Sequence, residues 1–253
     1  MALFQPLKFT NSGHIFIDPS DDPQIIASML DFISYREEFC LALDFSAPFV
    51  ARLMAAGFLV MSAISGAEPG EKAILLPEMH QKRSVLFFGN LHEGRTVKRL
   101  IPRYELKTGG LGREAEDPAL FGMVLERCAQ VHGEDWLTPA LRQSFHTLYR
   151  TQGAGGRKFS RKSPRMAAFG LYRGGRLVAG EFGAAAGRVY TSYSGYKEEN
   201  SAGSVQLVQT GRWLRDSGFA FWDLGMILPY KELLGAQALD RGEFLELFRQ
   251  AQG

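Results

Sequence analysis

The sequence predicts an α/β fold, a mixed sheet flanked by helices on both faces. Three features predict it: a Gly-Gly hairpin between two apolar β-type runs in the second half, a helix-period segment soon after the third such run, and then a short aromatic run that ends near an acid. Helices that interrupt strands in this order must lie on the faces of the sheet those strands build. With 253 residues, 45% hydrophobic and 22% charged, the chain can bury a full core as one large domain or two small ones.

The opening through Asp22 is polar and turn-rich, with Asn11-Ser12-Gly13 and Asp18-Pro19-Ser20. Apolar residues recur at helical spacing from Ile25 to Phe32. Asp44-Phe45-Ser46 leads into a helix with Phe49, Leu53 and Met54 on its apolar face, and Gly57 ends it. Phe58 to Met61 and Ser84 to Phe88 read as strands, the second closed by Gly89-Asn90. Two helices come next over 118–131 and 137–149, and Pro139 falls early in the second, where its missing N–H costs little. The Gly-rich basic stretch from Gln152 to Pro164 reads as a loop. Ala167 to Tyr172, the turn Gly174-Gly175 and Leu177 to Phe182 make a hairpin, and a third strand runs from Gly187 through Ser192. Ala202 to Asp216 is helical by Val205, Leu207, Val208 and Trp213. Phe219 to Leu224 is a buried-type strand, with short helices over Tyr230 to Leu234 and Arg241 to Arg249. The expected organisation is an N-terminal, degenerate α/β domain over 1–115 and a C-terminal domain over 116–253.

Net charge is +2, from 29 basic against 27 acidic residues, and names no partner. Distribution says more. Lys82, Arg83, Arg95, Lys98, Arg99, Arg103 and Lys107 form one basic run, and Arg150, Arg157, Lys158, Arg161, Lys162 and Arg165 another. Each reads as a solvated face or as a surface for a polyanion; their position at domain edges favours the polyanion. Cys40 and Cys128 sit in apolar context and read as buried free thiols of a reducing compartment. No basic-then-apolar leader pattern is present, and the apolar stretch from Phe45 to Ile64 is broken by Arg52. A soluble, cytoplasmic protein without membrane association is expected.

Asp223 closes the run Phe219, Phe221, Trp222, at the strand edge where open α/β sheets form a ligand crevice. It reads as a carboxylate that meets an incoming amine, or as a capping acid. Glu181, between Gly180 and Gly183, reads as a cleft acid for a cationic group or as an exposed strand acid. Tyr190, Tyr193 and Tyr196, with Ser192 and Ser194 between them, offer hydroxyls for a carbonyl or ribose, or ordinary packing. No Gly-x-Ser-x-Gly elbow and no His, Cys and acid triad is present. Gly109-Gly110-Leu111-Gly112-Arg113 has the composition of a phosphate loop but comes after no clear strand. His92 reads as a phosphate ligand or a structural residue, and His132 and His146 as core or surface residues. Trp136 reads as a base-stacking platform or as core packing.

Placed in order, these pieces resemble the bacterial leucyl/phenylalanyl-tRNA–protein transferase family from about Leu41 to Leu247. Leu43-Asp44-Phe45-Ser46 and Gly57-Phe58-Leu59-Val60-Met61 match its early helix and strand. Lys82-Arg83-Ser84-Val85-Leu86 matches its Pro-Arg-Ala-Val-Leu segment, and Leu91-His92, Arg95 and Lys98-Arg99 match the Leu-His pair and basic residues beyond it. Asp135-Trp136-Leu137, Phe221-Trp222-Asp223-Leu224-Gly225, Leu233-Leu234-Gly235-Ala236, Arg241 and Phe244 complete the series. The resemblance implies an acetyltransferase-like (GNAT-type) C-terminal domain that takes the 3′ end of aminoacyl-tRNA in its cleft and passes the amino acid to a protein or peptide amino group. It implies that Asp223 orients or activates the acceptor amine and that Trp136 lies near the terminal adenosine; taken with the reading of the residues, the candidate catalytic residues are Asp223, Ser194 and Tyr193, and the candidate substrate contacts are Glu181, Trp136, Tyr190, Tyr196 and Gly195. It also implies tRNA contacts from Arg83, His92, Arg95, Lys98, Arg99, Arg157, Lys158, Arg161 and Lys162. No metal or cofactor is expected; aminoacyl-tRNA is the co-substrate.

This chain departs from the family at telling places. Gly225 stands for a Gln, Tyr193 for a Glu and Met61 for a Trp. Glu181 stands for a Met of the family's apolar amino-acid pocket, and an unpaired acid in such a pocket asks for a cationic ligand. The expectation is that Arg or Lys is the transferred residue. Two other readings stay open: an acyl-CoA-dependent N-acyltransferase, for which no pyrophosphate loop is evident near Asn200 to Ser204, and a tRNA-binding protein without catalysis.

Overall fold

Short elements come first in the computed structural model, which describes residues 6–65, 72–111, 117–152 and 163–253. β1 (Lys8–Phe9) and β2 (Ile15–Phe16) make a small hairpin, and α1 (Pro23–Phe32) comes after it. That helix begins where Asp22 accepts from the Gln24 N–H, with Pro23 in the first turn. α2 (Ala47–Ala55) buries Phe49, Val50, Leu53 and Met54, and the chain leaves it through Gly57 at φ +91°. β3 (Leu59–Ile64) and β4 (Ala73–Glu78) form a separate antiparallel ribbon.

The main sheet then assembles from β5 (Lys82–Leu86), β6 (Glu105–Gly109), β7 (Arg165–Arg173), β8 (Arg176–Ala186), β9 (Val189–Lys197), β10 (Phe221–Gly225) and β11 (Gln237–Asp240). Its strand order is β11-β5-β10-β9-β8-β7-β6. Every pair is antiparallel except β9 with β10. A parallel pair needs a crossover, which α6 (Ala202–Asp216) supplies. The remaining helices are α3 (Arg95–Leu100), α4 (Leu120–His132), α5 (Pro139–Thr151), α7 (Pro229–Leu233) and α8 (Arg241–Gln252).

Alternation along the strands divides the core into two layers. Phe182 and Phe221 face α2, α4, α5 and α8, in a cluster with Phe121, Phe145, Leu53 and Phe244. Phe169, Tyr190 and Trp222 face α6, packed with Val208 and Leu214. The sheet is therefore mixed and covered on both faces, as its sequence predicts.

β5 and β6 precede residue 115 and pair with strands beyond it, so one sheet spans the expected domain boundary. β4, β6, β11 and α3 are elements that the sequence pattern does not announce. Cys40 and Cys128 are buried and unpaired, and burial pushes both thiols up to about 12, which keeps them protonated and unreactive. No helix among the described residues is long and apolar enough to cross a membrane.

Candidate active-site cleft

Two bulges face each other where the parallel pair ends. β9 and β10 are in register from Val189 and Phe221 to Thr191 and Asp223, and there the pairing stops. On β9, Ser192 lies opposite Gly183 and Ser194 opposite Phe182, which leaves Tyr193 without a strand partner. On β10, Asp223 pairs with Val85 and Gly225 with Ser84, which leaves Leu224 unpaired as well. Gly225 then turns the chain away at φ +74°, a conformation that only glycine adopts freely. The strands part into a V walled by Ser192–Gly195 on one side and Leu224–Met226 on the other. Backbone groups released by a bulge at such a point are the kind that bind a developing oxyanion.

Asp223 stands at the base of the V but offers it nothing. It is fully buried, and both oxygens are committed. Arg83 grips it in a fork: Nε donates to Oδ1 at 2.8 Å and Nη2 to Oδ2 at 2.9 Å. Thr191 Oγ1 donates to Oδ2 and the Gly225 N–H to Oδ1, each at 2.9 Å. The ion pair thus ties β5, β10 and β9 together across one face of the sheet. Nη2 also reaches the Gly57 carbonyl at 3.3 Å, and the guanidinium lies over the Phe244 ring at 4.7 Å. Two sequence expectations change. Arg83 is 1% exposed and spent on Asp223, so it is no phosphate ligand. Asp223 has no free lone pair for an incoming amine; it positions the strand ends instead.

Glu181 presents the opposite situation. It lies on β8 facing α6, 3% exposed. Its Oε2 accepts from Ser192 Oγ at 3.1 Å, and that hydroxyl in turn accepts from Trp222 Nε1 at 2.8 Å. Gln206 is near: one of its two amide N–H groups donates to Thr210 at 2.9 Å, and the amide draws Glu181 toward its ionised form. Oε1 has no hydrogen-bond partner among the described residues, and neither has the buried hydroxyl of Tyr190. Burial raises Glu181 from the ordinary 4.5 to about 8, against weaker opposing pulls from Ser192, Gln206 and Lys231. Around it the rings of Trp222, Tyr190, Phe169 and Trp213 run in sequence, with centroids 5.2–6.4 Å apart. An acid with a free oxygen among aromatic faces suits an ammonium or guanidinium.

The other predicted residues separate. The Tyr193 ring turns to the opposite face, where it stacks with Phe182 and its hydroxyl accepts from the Val60 N–H at 3.2 Å. Ser194 points its hydroxyl to the Cys128 thiol under α4. Asp223, Tyr193 and Ser194 share the face covered by α4, α5 and α8, and Tyr193 lies within electrostatic reach of Arg83 and Asp223. The two hydroxyls are spent on Val60 and Cys128, however, so the trio is not one hydrogen-bonded constellation, and the bulge sends Ser192 to the Glu181 face. Trp136 is half-buried and parallel to Phe182, 6.3 Å between centroids. Tyr196 is core, packed beside Val124 over Gly180. Gly195 is exposed, and its carbonyl lies 2.8 Å from His132 Nε2.

Arg95, Lys98 and Arg99 come together on the exposed face of α3, with His92 and Arg103 at its ends. Glu93, the nearby acid, is gripped by Arg212 in a fork and also lies 3.9 Å from Lys98, which leaves Arg95 and Arg99 as the cations of this face that it does not reach. Arg157, Lys158, Arg161 and Lys162 lie outside the described residues, as do Gly112 and Arg113. Gly109 and Gly110 are spacers and not a phosphate cradle: a Cβ on Gly110 would stand 2.2 Å from the Met166 carbonyl.

Residues 85–249 match the model of the family described as leucyl/phenylalanyl-tRNA protein transferase. A leucyl/phenylalanyl-tRNA–protein transferase of Pseudomonas entomophila (strain L48) is 28% identical over 167 residues, 65% of this chain and 66% of the relative, just under two thirds of its length. One from Pseudomonas aeruginosa PAO1 is 25% identical over 171 residues, 66% of this chain and 67% of the relative. Among solved structures, FemX is 9% identical at a TM-score of 0.42, over 90% of this chain and 78% of that one. The matched segment opens in β5, two residues after Arg83, and closes in α8, so it contains both bulges, Glu181 and Asp223. With well over half of its length matched, the chain belongs to the leucyl/phenylalanyl-tRNA protein transferase family.

Proposed function

We propose that this protein transfers an aminoacyl group from the 3′ end of an aminoacyl-tRNA to an amino group of a protein or peptide. The amine nitrogen adds to the ester carbonyl carbon, the C–N bond forms, the bond to the ribose oxygen breaks, and the amine proton passes to that oxygen. An ester is more activated than an amide, so the protein has to supply proximity and stabilise charge on the carbonyl oxygen. Family membership and the V between the two bulges support this reading. Within it Asp223 and Arg83 fix Thr191 and Gly225 on the two walls, and backbone at Tyr193 faces the reacting ester. The basic face of α3 takes tRNA phosphates, which position without reading sequence. Replacing Arg95, Lys98 and Arg99 with Gln is expected to weaken tRNA binding and flatten its salt dependence, by roughly 0.7–0.9 in the log–log slope for each phosphate left without a cation. Filter binding from low to high salt measures it.

The finer reading is that the transferred residue is cationic, Arg or Lys, and the free Oε1 of Glu181 carries it. A ligand cation would complete the hydrogen bonding that the protein leaves unmade. Because Glu181 holds its proton to about pH 8, binding the cation releases that proton, and preference for the cationic substrate rises with pH up to about 8 and then levels. The test is transfer from arginyl-, lysyl- and leucyl-tRNA to a mixed peptide pool by the wild type and Glu181→Met. The expected result is a shift of at least tenfold from cationic toward apolar donors, on the scale of about 1.4 kcal/mol or more for one buried charged contact. An unchanged order of donors overturns it.

Stability separates function from scaffolding at this position. The folded protein keeps a proton on Glu181 that the unfolded chain loses above its ordinary value, so stability falls from about pH 4.5 to about 8. Glu181→Gln removes that slope and is expected to raise the melting temperature above pH 7. A glutamate kept for structure would lower it.

A further inference from the structure

Near the end of β10, between its last two rungs with β5, a lysine takes the place of a strand partner. Leu224 has no partner on β5 or β9, and Met226 lies beyond the sheet. Lys231, on α7, folds back so that its ammonium donates to the Leu224 carbonyl and, at 2.9 Å, to the Met226 carbonyl. The side chain is buried, at 7% exposure, and among the described residues no carboxylate pairs with it directly. These two carbonyls flank Gly225 and form one wall of the V. Without a donor they would be drawn toward the free backbone of the β9 bulge, because backbone carbonyls left dry seek the nearest N–H.

We propose that Lys231 is a positioning residue that props the cleft open, its charged amine standing in for the strand partner that Leu224 lacks. Four groups face it. Asp223 favours its charge, Arg83 opposes it, Glu181 favours it once its own proton is lost near pH 8, and the Tyr230 ring lies 5.7 Å away. Burial outweighs the two acids and brings the amine down to about 8. Above that pH the neutral amine keeps two N–H groups but loses the charge assistance that roughly doubles a hydrogen bond's strength. The wall is then expected to loosen as pH rises from 7 to 9.

Hydrogen exchange read by mass spectrometry tests this without any substrate, so its outcome does not depend on the transfer reaction. Protection factors, corrected for the intrinsic pH dependence of exchange, are measured for peptides covering 189–198 and 221–230 in the wild type, Lys231→Met and Lys231→Arg. The wild type is expected to lose protection several-fold between pH 7 and 9, while Lys231→Arg holds it throughout. Lys231→Met is expected to show roughly tenfold lower protection at every pH, as for loss of a charged hydrogen bond. Wild-type protection in Lys231→Met at pH 7 overturns the proposal, and so does a pH response in Lys231→Arg equal to that of the wild type. If Lys231→Met does not fold, the comparison of wild type with Lys231→Arg decides alone. Resting on the proposed reaction, a second readout is expected to show Lys231→Met raising KM for aminoacyl-tRNA more than it lowers kcat, with Lys231→Arg restoring it.

Discussion

Arg83→Met is expected to destabilise the protein by about 3–5 kcal/mol, because it strands the Asp223 carboxylate in a site with no water to solvate it. Urea unfolding of the purified variant at pH 7 measures the loss. The physical reason lies in the asymmetry of buried ion pairs. Assembling one roughly balances desolvation against attraction, but removing one partner leaves the other's desolvation uncompensated. The double variant Arg83→Met, Asp223→Leu is therefore expected to recover much of the loss, and the coupling between the two positions is read from the double-mutant cycle. Thr191 Oγ1 and the Gly225 N–H lose their acceptor in that variant, so recovery is incomplete. Transfer activity should fail to recover with stability, since Gly225 and Thr191 would no longer be held on the two sides of the V. A single variant that loses less than about 1 kcal/mol, the scale of an exposed pair, would show that the pair is solvated and holds nothing.

Legibility from sequence depends on where each element gets its stability. The β7–β8 hairpin and α6 carry their own signals, a Gly-Gly turn between apolar runs in one and a regular apolar stripe in the other. β4, β6 and β11 do not: each is short, β4 contains Pro77, and each is held mainly by the strand beside it. α3 has six residues, none fully buried, and leans on α6. At the site, Glu181 is legible because an acid inside a glycine-flanked apolar strand has to answer for its desolvation. Arg83 is misread because a basic run does not reveal which member turns inward; Lys82 beside it is 63% exposed and Arg83 1%. The only hint is that Arg83 opens a buried strand while Asp223 sits in another. Lys231 gives no signal at all, since a lysine in Pro-Tyr-Lys-Glu-Leu reads as surface until the fold brings Leu224 beneath it.

Gly183→Ala is expected to lose about 3 kcal/mol, the upper end for an overpacked methyl group. A Cβ there would stand 2.1 Å from the Thr191 carbonyl and 2.8 Å from the Tyr190 hydroxyl. The first of these is backbone, and it belongs to the last paired rung before the strands separate. It cannot retreat without dragging Asp223 and its arginine along. Gly203→Ala is the control: its Cβ would meet only the flexible Lys197 side chain, at 3.3 Å, at the start of a helix where alanine is favoured, so little change or a gain is expected. Equal unfolding midpoints for the two variants would mean that the ladder around Thr191 gives way easily. The bulge and the glycine are two halves of one construction. Inserting Tyr193 as an extra residue swings the Thr191 carbonyl inward against β8, and only a residue without a side chain leaves room for it. The opening on the other side of β9 exists because that crowding is possible. A methyl group at residue 183 should therefore narrow the V from behind, lowering transfer more than its effect on folded population accounts for, although no atom of it reaches the cleft.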